Sequence, residues 1–345
     1  MKTWNIRLFT ATAAAIAAAL PLALAAQQPV ADFKERTIKV SHVLPKDHSM
    51  QLAVEKFAEI LDQKTGGKIK MRGYPSGQLG AELQSISAAQ GGVLEMALVS
   101  TAATASVVKE FGVYDLPFLF NNSREADLVL DGPIGRKLLD KLPEKNLIGL
   151  CYFENGFRHL TNSRRAVATA EDFKGLKIRT IQNPVYIDVF NTLGANATPM
   201  PFTEVFTALE SKAIDGQETP YGNIHGNKFY EVQKYLTTTG HIYNSIVLLV
   251  SKKFWDQLSA AEHKLLQETC TATSDFQRRH MRELDPKLRA ELQGKGMVIT
   301  DLSASERARL RELLKPVYEK YTRNLGEDVV NQVLGELAKH RAAAK

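Results

Sequence analysis

The feature that most constrains this chain is a switch of hydrophobic period that repeats, in the same order, along two separate stretches. Thr37 to His42, "TIKVSH", alternates as a strand does. "SMQLAVEKFAEILDQKTGGK" then places apolar residues at helical spacing, with Gly66-Gly67 as a stop. "IKMRGYPSGQLG" reads as a second strand running into a Gly/Pro loop, "AELQSISAAQGG" as a helix and "VLEMALVS" as a short buried strand. Strand, helix, strand, helix, strand predicts a parallel α/β sheet. "LIGLCYFENGFRHLTNS" is a strand that leaves this first unit near Asn155-Gly156. A second α/β unit follows in "LKIRT", "PVYIDVFNTLG", "ATPMPF", "TEVFTALESKAIDG" and "QETP". "HIYNSIVLLVSK" reads as a returning strand. A helix-rich tail begins at about Trp255, and its first long segment, Ala260 to Gln293, suits one helix leaning across both units.

The expected architecture is therefore α/β with two lobes: 37–155 plus 245–284 as lobe I, and 156–244 plus 285–345 with the C-terminal helices as lobe II. The 345 residues exceed what one core ordinarily holds, which also favours two lobes. Crossing strands between lobes leave a cleft, and in open α/β sheets ligands sit beyond the carboxyl ends of strands.

The N-terminus is a separate object. "MKTWNIRLFTATAAAIAAALPLALAAQQ" carries Lys2 and Arg7, then an uncharged Ala/Leu-rich stretch, and Ala23-Leu24-Ala25 fits the small-x-small cleavage rule. Residues 1–25 read as a signal peptide, which predicts a soluble periplasmic protein with no membrane insertion after cleavage. No later run approaches the ~18 apolar residues of a spanning helix. Removing Lys2 and Arg7 takes the formal charge from +6 to +4. The basic residues are scattered among acidic neighbours, so nucleic acid is excluded as a partner. Of the two cysteines, Cys151 lies in the apolar run "LIGLCYF", which favours a buried free thiol over pairing with Cys270. Neither the cysteines nor the eight dispersed histidines have metal-ligand spacing, so no metal or cofactor is expected.

Catalytic patterns are missing from the sequence: there is no G-x-S-x-G elbow, Walker loop or H-E-x-x-H. The glycines of "GYPSGQLG" have the wrong spacing for a dinucleotide fingerprint and suit a tight turn beside the cleft. Two arginines stand out. Arg158 in "ENGFRHLTNS" and Arg179 in "GLKIRT" both follow or end apolar strands of the second unit. Each suits a structural salt bridge, or a ligand carboxylate, because the guanidinium fork donates two parallel hydrogen bonds.

From about Thr37 to Lys253 the chain resembles the DctP-like solute-binding proteins of tripartite ATP-independent periplasmic (TRAP) transporters. The resemblance is carried, in order, by "IKVSHVLPKDH", "YPSGQLG", "VYDLPFLF", "ENGFRHLTNS", "DFKGLKIRTIQNP", "LGANATPMPFTEVFTALE", "DGQETP" and "KFYEVQKYLTTTGH". It implies a type II-like periplasmic binding protein: two α/β lobes around a cleft, spanned by a long helix. It also implies that the protein is not an enzyme, that it takes an organic acid, and that it delivers the acid to TRAP-type permease subunits. Residue by residue it implies that Arg179 makes the main salt bridge to the ligand carboxylate, Arg158 a second contact, and Phe202 an apolar wall. Phe202 also suits a core position. Where the family commonly has an Asn after "GQE", this chain has Thr219, a shorter hydroxyl. First-lobe contacts vary with ligand, which leaves Ser100, His42, Gln78 and Tyr74 as candidates, together with Gln182 and Asn183 after the arginine strand.

Two other readings compete. The same cleft would serve a ligand-sensing partner of a membrane receptor, and Glu218 or Asp215 in "AIDGQETP" would serve as base in a periplasmic enzyme. The two arginines fit a dicarboxylate, a sugar acid or a 2-oxo or 2-hydroxy acid. Phe202, Tyr74, Tyr152 and Tyr221 leave room for an aromatic acid.

Overall fold

The structure, a computed structural model, describes residues 33–343 together with Met1. The signal-peptide reading of 1–25 lies, Met1 apart, outside the described residues. Two mixed sheets organise the rest. The first has the order β2-β1-β3-β10-β4, with β1 Arg36–Ser41, β2 Ile69–Tyr74, β3 Met96–Ser100, β4 Leu147–Phe157 and β10 Tyr243–Ser251. The second has the order β11-β9-β5-β8-β6-β7, with β5 His159–Asn162, β6 Lys177–Thr180, β7 Asn196–Pro199, β8 Gly216–Thr219, β9 Tyr235–Thr237 and β11 Val298–Thr300.

The local patterns explain these elements. The helix Ser49–Thr65 buries Met50, Ala53, Val54, Phe57 and Leu61, a stripe at helical period, and ends at Gly66 in the left-handed conformation. All five residues of β3 and all nine of β10 are buried, as expected of central strands covered on both faces.

The parallel sheet expected from the first three strands is present in β2-β1-β3, but later strands make both sheets mixed. β10 runs antiparallel to β3 and β4, and β5 runs antiparallel to β8 and β9. The reason is the crossing. β4 ends at Phe157 and β5 begins at His159, so the chain passes between sheets with no crossover helix. A strand whose carboxyl end faces the cleft is then followed by one whose amino end does. The same geometry applies where β9 leads back into β10.

The helix Ala260–Gly294 starts with a Ser259/Glu262 capping box and runs for 35 residues, about 50 Å. It packs on the Ser49–Thr65 helix and β4 of the first lobe and reaches the Tyr221–Gly226 helix of the second. Cys270 on this helix is disulfide-bonded to Cys151 on β4, with a Cα–Cα distance of 6.0 Å. The free-thiol reading is thus corrected: the helix packs on the strand, and the two cysteines meet across that contact.

The tail divides its contacts. β11 joins the second sheet, whereas Glu327–Ala343 packs on the first-lobe helices Ser123–Asp131 and Pro133–Leu139, where Arg341 pairs with Glu125. Lys315–Leu325 touches Lys109–Asp115 of the first lobe and Pro184–Thr192 of the second. Residues 327–343 thus pack with lobe I although they follow lobe II along the chain.

Candidate functional site

The carboxyl ends of β3, β6 and β8 and the crossing strands β4 and β10 converge on one cavity, with about 410 Å³ of space unfilled by atoms, solvent at its mouth included. Its wall draws Leu98, Ser100, Asn155, Asn244 and Ile246 from the first sheet, and Arg179 and Thr219 from the second. This is the strand-end location expected of a ligand site in an open α/β sheet.

Arg179 is the third residue of β6 and only 2% exposed. Its Nε and Nη2 donate to the Met200 carbonyl just beyond β7, at 3.0 and 2.7 Å. Those two bonds fix the plane of the fork and leave Nη1 buried without a partner. No acidic side chain of the described residues pairs with it. Burial pushes its pKa down to about 10, only partly offset by the more distant Glu218. Phe202 stacks beneath the guanidinium, 5.5 Å from ring centroid to Cζ. The position is a fixed positive charge in the cavity wall, with no acidic side chain of the described residues in an ion pair with it.

Arg158 is different. It follows β4 at the crossover and its fork is already engaged: Nε bonds Glu218 Oε2, and Nη2 reaches Glu218 Oε1 at 2.8 Å. Glu218 is fully buried on β8 and also meets His241 Nε2 at 3.2 Å. Burial pushes the Glu218 carboxyl up, but Arg158 and His241 together outweigh it and hold the group below the usual carboxylate range. Arg158 therefore lines the cavity as one half of an internal ion pair, its charge already met before any ligand arrives. Sequence reasoning had no signal for this pairing, since the partners are 60 residues apart and meet only because β5 pairs with β8. Both candidate catalytic bases are likewise engaged. Glu218 holds Arg158, and Asp215 accepts from Lys177 N at 2.8 Å and pairs with Arg164.

Of the other sequence candidates, Ser100, Phe202 and Thr219 line the cavity. Thr219 Oγ1 accepts from Asn223 Nδ2 at 2.8 Å, and Ser100 caps the short helix after β3. Phe202 is half-buried and packs edge-on against Phe229, so it serves core and cavity at once. Five candidates lie elsewhere. Gln182 and Gln78 are exposed. Tyr74 ends β2 and is outside the wall. His42 is buried against Gln51 at 3.0 Å, and burial lowers its pKa. Asn183 caps the Pro184–Thr192 helix and donates to Asp115 Oδ2 and the Ala102 carbonyl, bridging to the first lobe.

The "GYPSGQLG" loop does turn beside the cavity. Gly77 has φ +70°, and a Cβ there would stand 2.6 Å from Thr203 Cγ2, next to Phe202, so the close approach of the lobes at this rim requires glycine.

Sequence reasoning missed Glu82, Asn155, Asn223 and Asn244, all in the wall. Asn155 occupies a β-bulge: Glu154 and Gly156 pair with successive residues of β10, Ser245 and Asn244, and Asn155 is left over. A bulge re-aims a side chain, here into the cavity. The Asn155-Gly156 step in the sequence was the available signal. Among the described residues no helix is long and apolar enough to cross a membrane, and no group of three acidic, His or Cys residues is placed for a metal ion.

Two α/β lobes closing on a buried, uncompensated cation at facing strand ends define a solute-binding protein. The chain belongs to the DctP family, bacterial extracellular solute-binding protein, family 7, whose model matches residues 40–324. The resemblance drawn from its motifs is thereby shown. It is similar to the crystal structure of the sugar acid binding protein DctPAm from Advenella mimigardefordensis in complex with galactonate, at 44% identity and a TM-score of 0.88, covering 89% of this chain and 99% of that one. A solute-binding protein of Verminephrobacter eiseniae is 37% identical over 299 residues, 87% of this chain and 89% of its own. The C4-dicarboxylate-binding protein DctB of Bacillus subtilis is 32% identical over 297 residues, 86% and 85% of the two chains.

Proposed function

We propose that this chain captures a small organic acid in the periplasm, anchors its carboxylate on Arg179, and passes it to the membrane permease of a TRAP transporter. The observation that carries the proposal is the buried guanidinium of Arg179, a cavity-lining group held by a neutral carbonyl with its Nη1 unpartnered. Keeping a buried charge unpaired costs free energy, and a carboxylate with two acceptor oxygens removes that cost when it binds. No bond is made or broken. The lobes close on the acid, water leaves, and the lower dielectric strengthens the ion pair.

Relatives of this chain include binders of galactonate and of C4-dicarboxylates, which supports an acid ligand and leaves its kind open. Micromolar capture needs about 8 kcal/mol, which one desolvated charge pair plus apolar burial against Phe202 can supply. A thermal-shift screen of the purified protein over organic acids, followed by titration calorimetry of the hits, tests this reading, because bound ligand raises apparent stability by mass action. A screen with no stabilising acid would refute it.

A further inference from the structure

Resting on the capture reading above, we propose that the ligand is a polyhydroxy monocarboxylate of the sugar-acid class rather than a dicarboxylate, and that Glu82 and Asn155 impose the choice. Glu82 lines the cavity and its Oε1 accepts from Ser100 N at 2.6 Å, which holds the carboxylate in the wall. Glu82 acts on Arg179 electrostatically but makes no ion pair with it, so the cavity separates the two charges. One end of the cavity is cationic and another part of its wall is anionic.

The amides add a second, independent observation. Arg158 Nη1 reaches Asn244 Oδ1 at 3.4 Å and can only donate, which places the Asn244 oxygen toward Arg158. Asn155 Nδ2 donates to the same oxygen at 2.8 Å. Asn155 Oδ1 and Asn244 Nδ2 are left buried and unpartnered. Away from Arg179 the wall thus offers Glu82, Asn155 Oδ1 and Asn223 Oδ1 as acceptors, and Asn244 Nδ2 as a neutral donor.

Acceptors need O–H groups opposite them. A second carboxylate offers only lone pairs, and it would meet Glu82 as a like charge. Arg158, the other cation in the wall, is neutralised by Glu218, so it offers a second carboxylate no net positive charge. A chain of hydroxyls satisfies the acceptors by donating and the Asn244 amide by accepting, while its single carboxylate takes Arg179.

Titration calorimetry at neutral pH with galactonate and other five- and six-carbon aldonates, and with succinate, tests the assignment. The tightest aldonate should bind at least about tenfold more tightly than succinate. In Glu82→Gln the aldonates should weaken about three- to tenfold while succinate holds or improves, so the ratio narrows. Succinate binding as tightly as the best aldonate, or an unchanged ratio in folded Glu82→Gln, would overturn the assignment. The wild-type ratio decides alone if the variant melts early. Arg179→Met separates the two readings. If it abolishes binding of an acid whose ratio contradicts the class, only the class fails. If neither aldonate nor dicarboxylate binds the wild-type protein, the capture reading fails with it.

Discussion

Arg179 and Arg158 are both buried arginines of one cavity, yet removing each should have opposite consequences. In Arg179→Met the folded protein loses a charge that has no counter-ion. Burial pushes its pKa down to about 10, which at about 1.4 kcal/mol per pH unit corresponds to a relief of about 3 kcal/mol. Against this stands the loss of the charge-assisted bonds to the Met200 carbonyl, about 1.5–3 kcal/mol. The two nearly cancel, so the unliganded variant should unfold within about 2 kcal/mol of wild type. Its affinity for a cognate acid should fall by about 2–5 kcal/mol, roughly 30- to several-thousand-fold, because a buried charge pair with the ligand is gone. Arg158→Met instead strands Glu218, which has no exposure at all, and should cost about 3–5 kcal/mol of folding free energy. Urea denaturation without ligand and titration calorimetry on both variants provide the readouts. If Arg179→Met unfolds as early as Arg158→Met, or binds acid with unchanged affinity, the distinction between a free and a neutralised guanidinium is wrong.

Phe202→Ala should lose both affinity, by about tenfold, and stability, by less than the 3–5 kcal/mol of a fully buried Phe, because the ring is shared between core and cavity; calorimetry and thermal melts give the two numbers. Reduction of Cys151–Cys270, or the double serine variant, should lower stability by about 2–4 kcal/mol while ligand affinity is kept, since the bridge closes a separation of 119 residues away from the cavity; melts with and without reductant check this. Asp115 is buried among Tyr186, Asn183, Arg158 and Glu218, and burial raises its pKa to about 8. An acid whose folded pKa is raised stabilises the fold while protonated, so that contribution is present below pH ~4 and lost as pH rises through about 8. Wild type should therefore lose up to about 4 kcal/mol relative to Asp115→Asn between pH 5 and 8, and denaturation midpoints at the two pH values that move in parallel would contradict it.

Much of this protein is legible in its sequence because hydrophobic period and turn chemistry are local. The alternation of strand and helix, the long helix from Ala260, the tight Gly/Pro turn at Gly77, and Arg179 near the end of a buried strand all follow from residues within one or two turns of each other. What depends on partners distant in the chain is not legible. Periodicity cannot say that β5 and β10 run against their neighbours, because direction is set by how the chain crosses between sheets. Nor can it say that Cys151 meets Cys270, or that Asn155 rather than Gln182 or Asn183 faces the ligand space, because a bulge and a helix cap decide where those side chains point. The two arginines make the division plain. As sequence they are equivalent, each at the end of an apolar strand. Only the pairing of β5 with β8 brings Glu218 to Arg158 and leaves Arg179 without an acid, and electrostatic neutralisation acts over a few ångströms of space, not along the chain.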